Sequence, residues 1–99
     1  LDESPLKGNA KAGKKICAEV CSTCHGMKGT GYLEGAEGTA ICLKGFLDKA
    51  SNGFLRYTIA HGKTDTNMKG FGKKDSGAAR LLTKSEIDDV ISFLRENPL

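Results

Sequence analysis

Tryptophan is missing from this chain of 99 residues, aromatic residues make up only 6% of it, and prolines, histidines and methionines number two each. With 38% hydrophobic residues, a core built from side chains alone is modest, and a buried prosthetic group would supply what they lack. No apolar run is long enough to span a bilayer, and no signal-peptide core is present. The formal net charge of +3 is mild, and like charges form no block and do not alternate with aromatics. Nucleic acid is therefore not an expected partner. The first residue is Leu1, not methionine, which suggests an exported protein whose leader has been removed, or a fragment of a longer one. Export would put the four cysteines where they can be oxidised.

What is present reads as helices joined by long loops. A polar arm, residues 1–8, precedes the stretch GNAKAGKKICAEVCSTCH. There Ala10, Gly13, Ile16, Cys17, Val20, Cys21 and Cys24 recur at three- and four-residue spacings on one side of a helix that Asn9 would cap. Gly26 to Gly45 shows no sustained period and is expected to be loop. Ser51 would cap a second helix, NGFLRYTIAH, with Phe54, Leu55, Thr58 and Ile59 inward and Gly62 as its stop. Residues 63–80 are again irregular. In LTKSEIDDVISFLREN, Thr83 and Glu86 make a capping box, and Ile87, Val90, Ile91 and Leu94 make one apolar stripe. The fold class is all-α.

The stretch CSTCH, residues 21–25, needs a chemical explanation. A redox dithiol requires its first cysteine at a helix N-terminus after a strand, whereas this pair ends a helix and follows no strand. A zinc site would need a second ligand pair at matched spacing, and none of Cys17, Cys42 or His61 supplies one. Covalent attachment of haem satisfies the pattern. Two thiols one helical turn apart can add to the two vinyl groups, which brings the adjacent histidine under the ring to reach the iron.

With that motif in AGKKICAEVCSTCHG, followed in order by YTIAHGKTDTNMKGFG and LTKSEIDDVISFLRE, the chain resembles the small single-haem class I cytochromes c of bacteria. The resemblance implies a small cytochrome c-type fold, three to five helices with long loops wrapped around one covalent haem, formed by residues 9–99 as a single domain. It implies haem c attached through Cys21 and Cys24, with His25 and Met68 as the two ligands of the iron. Met27, only two residues from His25, is expected at the surface or the haem edge, and His61 is the rival of Met68 for the far position. Such a protein is a periplasmic, monomeric electron shuttle, not an enzyme, and its partners are other redox proteins. The alternatives are a haem enzyme or gas sensor with an open far position, and a domain excised from a larger oxidoreductase.

Three further expectations concern packing, thiols and charge. Gly13 interrupts a good helix, which suggests that another backbone or an aromatic ring lies against it; the resemblance implies that the first and last helices cross at such a point, and Phe93 is expected to cover the glycine. Cys17 and Cys42 remain after haem attachment, and a disulfide between these positions, 25 apart in sequence, is weighed against two separate thiols. Between residues 63 and 84 six basic residues face two acidic ones, and Lys63, Lys69, Lys73 and Lys74 would surround the haem edge as a docking surface for an acidic partner.

Overall fold

Asn9 starts the first helix as its sequence requires: its side chain accepts the Ala12 amide at 3.1 Å, and α1 runs from Ala10 to Ile16. The computed structural model describes residues 1–21, 25, 29, 31–35, 40–62, 70–72 and 81–96, with the side chains of 32 and 33 left aside. Beyond α1, a wider π-type turn covers Cys17–Cys21 and a 3-10 turn covers Gly31–Glu34. The described residues also form the α-helices α2 (Lys44–Lys49), α3 (Asn52–His61) and α4 (Lys84–Glu96). No strand occurs among the described residues. The all-α expectation holds.

The capping box of α4 is closed in both directions. The Thr83 amide donates to Glu86 Oε1 at 2.9 Å, and the Glu86 amide donates to Thr83 Oγ1 at 3.1 Å. Ile87, Val90, Ile91 and Leu94 are all buried, and they meet Ile16, Leu47, Leu55, Ile59 and Leu82 in one core. Each such side chain, fully buried, stabilises the fold by about 1.5–3 kcal/mol.

α1 crosses α4 at Gly13. A Cβ on Gly13 would overlap the Asp89 carbonyl oxygen and stand 2.9 Å from the Val90 nitrogen, so the covering group is the α4 backbone itself. The expected crossing is present, but Phe93 is not its lid: Phe93 is half-buried and packs against the core cluster. Backbone contact brings the helix axes closer than a phenyl ring between them would. Asp89 also fixes the start of α1, its Oδ1 accepting the Asn9 amide at 2.7 Å. Gly8 repeats the device one turn earlier, with its missing Cβ directed at Asp88 O and Ser92 Oγ.

Two helices depart from the sequence expectation. α2 overlaps the expected loop at Lys44 and Gly45 and otherwise occupies residues for which no element was expected, has no side-chain cap at Leu43, and owes its place to distant groups. Leu47 enters the core, and Arg95 of α4 donates to Leu47 O at 2.8 Å and Ala50 O at 2.6 Å, closing carbonyls that a six-residue helix leaves unpaired. In α3, Leu55 and Ile59 are buried as expected, but Phe54 is 42% exposed, because the core faces the stripe four residues apart and Phe54 lies beside it.

The arm is pinned to the domain. Arg56 of α3 forms a two-pronged pair with Asp88 of α4, 2.8 and 3.0 Å, and donates to the carbonyls of Asp2, Ser4 and Pro5. Glu3 accepts the Gly53 amide at 2.7 Å at the start of α3, and hydrogen bonds from Ser51 and Gly53 lower its pKa.

Gly13→Ala tests the crossing because its two effects have opposite signs. Alanine favours the isolated helix, while its methyl overlaps the Asp89 carbonyl. Overpacking should win by about 1–3 kcal/mol. The melting midpoint of the haem-loaded protein should fall, by roughly 4–8 °C for each kcal/mol lost. An unchanged or higher midpoint would contradict the crossing.

Candidate functional site

The site begins where α1 changes pitch. The Cys17 amide bonds the carbonyls of Gly13 and Lys14, and the chain then widens into the π-type turn that ends at Cys21. Such single-turn widenings are common at functional positions. Cys17 and Cys21 are half-buried, and Cys21 packs with Val20 against the apolar core. Hydrogen bonding to Cys21 lowers the pKa of Cys17, while hydrogen bonding to Cys17 together with burial raises that of Cys21.

His25 stands four positions past Cys21 and is half-buried. Cys24 and Met27 lie outside the described residues. Beyond them, Gly29 takes a φ of 73°, and its carbonyl accepts the amides of Ile41 and Cys42 at 2.8 and 3.2 Å, closing the ends of the intervening loop on each other. Cys42 is buried against Gly29. The thiols of Cys17 and Cys42 are both free in this structure. The expected Cys17–Cys42 disulfide is absent.

A second fixed point forms at the end of α3. Gly62, at φ 75°, stops the helix with its amide on Thr58 O. The chain is back against the same helix end at residue 70: the amides of Phe71 and Gly72 donate to Ile59 O and Ala60 O at 2.9 and 3.0 Å. A side chain on Gly70 would come within 2.7 Å of the Ala60 carbonyl oxygen. Leu82 then donates to Phe71 O at 2.7 Å, so one node holds both ends of segment 63–69 and both ends of segment 73–80. Met68, Lys63, Lys69, Lys73 and Lys74 belong to those segments and lie outside the described residues. The node was not foreseen, although its signal is visible as the two glycines around Phe71.

His61, the rival ligand, is exposed at the end of α3, and its ring lies against that of Tyr57 with centroids 4.5 Å apart. Both help line a surface cleft of about 410 Å³ between the arm, α3 and α4 that includes neither Cys21 nor His25. Among the described residues, no three metal-ligating side chains gather and no helix is long and apolar enough to cross a membrane.

The residues present suit a haem. A half-buried thiol lies against the apolar core at the end of a helix, where a ring attached through it would extend that core, and a histidine follows four positions on. The arrangement is that of a small helical haem protein. A family model for cytochrome c matches residues 10–98, and the chain belongs to the cytochrome c family. Its cofactor is a covalent haem c with its iron, and the family's chemistry is haem-based electron transfer. Six chains of solved structures match. One, titled KustC0563 c-type cytochrome, superposes with a TM-score of 0.67 at 24% identity, covering 88% of this chain and 98% of that one; the likeness is one of fold. No curated protein matches this chain.

Acid–acetone treatment should leave the haem on the polypeptide. After trypsin, the haem mass should travel with the peptide of residues 16–28, which carries Cys21, Cys24 and His25. Haem free in the extract would contradict covalent attachment.

Proposed function

We propose that the chain is an exported, periplasmic carrier of single electrons, in which residues 9–99 form one cytochrome c domain, Cys21 and Cys24 hold haem c as thioethers, and His25 and Met68 take the two axial positions of the iron. The observation that carries the reading is the placement of Cys21 against the apolar core with His25 just beyond it. Haem supplies an iron that alternates between ferrous and ferric states.

The protein's part is to hold the ligands still and set the potential. Met68 precedes Gly70 by two residues, so at most about 7 Å of chain joins it to the node on α3. A short tether of this kind limits how far a ligand can move when the iron changes charge. His61 is exposed at the end of α3, with its ring against that of Tyr57. A thioether sulfur donates weakly and favours ferrous iron, and an apolar pocket would disfavour the additional charge of the ferric state. The result is a relatively oxidising carrier.

Lys63, Lys69, Lys73 and Lys74 sit in the two segments that the node holds, on either side of Phe71 in sequence. They serve as the docking surface for an acidic redox partner. Oxidation by an anionic iron complex should slow as salt screens the attraction over a Debye length of about 10 Å at 0.1 M. A rate that is flat or rises with salt would count against a basic haem edge.

The ferric protein should show a weak near-infrared charge-transfer band from sulfur to iron. Met68→Ala should abolish it, lower the potential and open the ferrous form to carbon monoxide. If Met68→Ala keeps the native spectrum while His61→Ala loses it, the ligand assignment is wrong.

A further inference from the structure

Asparagine is followed by glycine only at Asn52–Gly53, the start of α3; Asn9, Asn67 and Asn97 precede alanine, methionine and proline. An asparagine before glycine is the kind most prone to lose ammonia, because no Cβ hinders the glycine nitrogen when it attacks the asparagine side-chain amide. Here that nitrogen is held. The Gly53 amide donates to Glu3 Oε1 at 2.7 Å, and the arm lies so close that a Cβ on Gly53 would run into the Glu3 carboxylate and stand 2.9 Å from Leu1 Cβ. The glycine that admits the arm is therefore the one that makes Asn52 vulnerable. Arg56 fastens the arm by its carbonyls at Asp2, Ser4 and Pro5, and Arg95 Nε donates to Asn52 Oδ1 at 2.7 Å.

We propose that Asn52 is a deamidation site that the arm holds shut: Glu3 keeps the Gly53 nitrogen from attacking the Asn52 side-chain amide, and release of the arm converts Asn52 to aspartate or isoaspartate. The helix alone gives little protection, because Gly53 N–H belongs to the first turn, where no intrahelical carbonyl holds it and opening is easy. A carboxylate beside the nitrogen also opposes loss of its proton, since the anion formed would face a like charge. Once the arm leaves, the Gly53 nitrogen gives its proton to hydroxide and bonds to Asn52 Cγ. Arg95 then stands at the oxygen where negative charge develops. The tetrahedral carbon expels its amide nitrogen, which takes up a proton and departs as ammonia, leaving a succinimide ring. Water opens the ring at either carbonyl, so the net change is one water consumed and one ammonia released, with no oxidant. Aspartate would put a carboxylate beside Arg95 at the start of α3, where negative charge is favourable. Isoaspartate would instead add a methylene to the backbone between the Ser51 cap and the Phe54 amide it serves.

The haem-loaded protein is incubated at mildly alkaline pH and digested with trypsin at mildly acidic pH, where cyclisation is slow. The peptide of residues 50–56 is then analysed by mass for exchange of the Asn52 NH2 for OH, and for isoaspartate. A synthetic peptide of the same sequence supplies the unprotected rate, and the unaltered protein should convert far more slowly than it. Glu3→Ala should convert about tenfold faster than the unaltered protein, the factor released with one hydrogen bond to a charged group. Gly13→Ala, which weakens the crossing of α1 and α4 and leaves Glu3 in place, should keep the unaltered rate. Equal rates in Glu3→Ala and the unaltered protein would assign the protection to the helix and overturn the proposal. Gly13→Ala converting as fast as Glu3→Ala would assign conversion to opening of the whole fold and overturn it as well. An unaltered protein as fast as the synthetic peptide would show no lock at all.

Discussion

The carbonyl oxygen of Asp89 occupies the place where any residue but glycine at position 13 would put its Cβ, and this contact sets the distance between α1 and α4. At that distance Ile16 reaches Val90, Ile91 and Leu94 in a common core, and the Asp89 side chain still caps the start of α1 through the Asn9 amide. Glycine in a helix costs roughly 0.5–1 kcal/mol against alanine. The close approach offsets that cost, and it fixes where the far end of α1 emerges. Cys21 closes the π-type turn that continues from that end, so the packing of two backbones bears on where a haem would be anchored.

Two arginines and one node carry the arrangement to the remaining elements. Arg95 joins α4 to the end of α2 and, through Asn52, to the start of α3. Arg56 joins α3 to α4 and holds the arm. At the other end of α3, which Gly62 stops, the amides of Phe71 and Gly72 close the last carbonyls and Phe71 O accepts the amide of Leu82, just ahead of α4. Long segments leave and return at fixed points, so a ligand can be delivered by a loop and still be held near a helix end.

Local signals were legible wherever the chemistry is local. Asn9, Ser51 and the Thr83–Glu86 pair cap the helices their spacing announces, and the stripe from Ile87 to Leu94 is buried throughout. The family of the chain was legible in five residues, because few chemistries require two cysteines and a histidine in that order. The sequence was silent where distant groups decide. α2 depends on Arg95, some 50 residues away, and the partner of Gly13 is a backbone carbonyl that no side-chain pattern encodes. Cys17 was matched to Cys42 by elimination among spare thiols, whereas both thiols are free and Cys42 is buried against Gly29.

Membership of the cytochrome c family establishes the haem and the class of chemistry. The proposed carrier goes further in requiring that one of the chain's two methionines, Met68, lie on the face of the haem opposite His25, tethered by Gly70. Proton NMR of the reduced protein with labelled methionine methyl groups tests this most directly, because the ring current of haem displaces a methyl bound above its plane far upfield. One methyl should be so displaced, and it should persist in Met27→Leu and so belong to Met68. Two methyls at ordinary positions, or a displaced methyl that disappears in Met27→Leu, would contradict it.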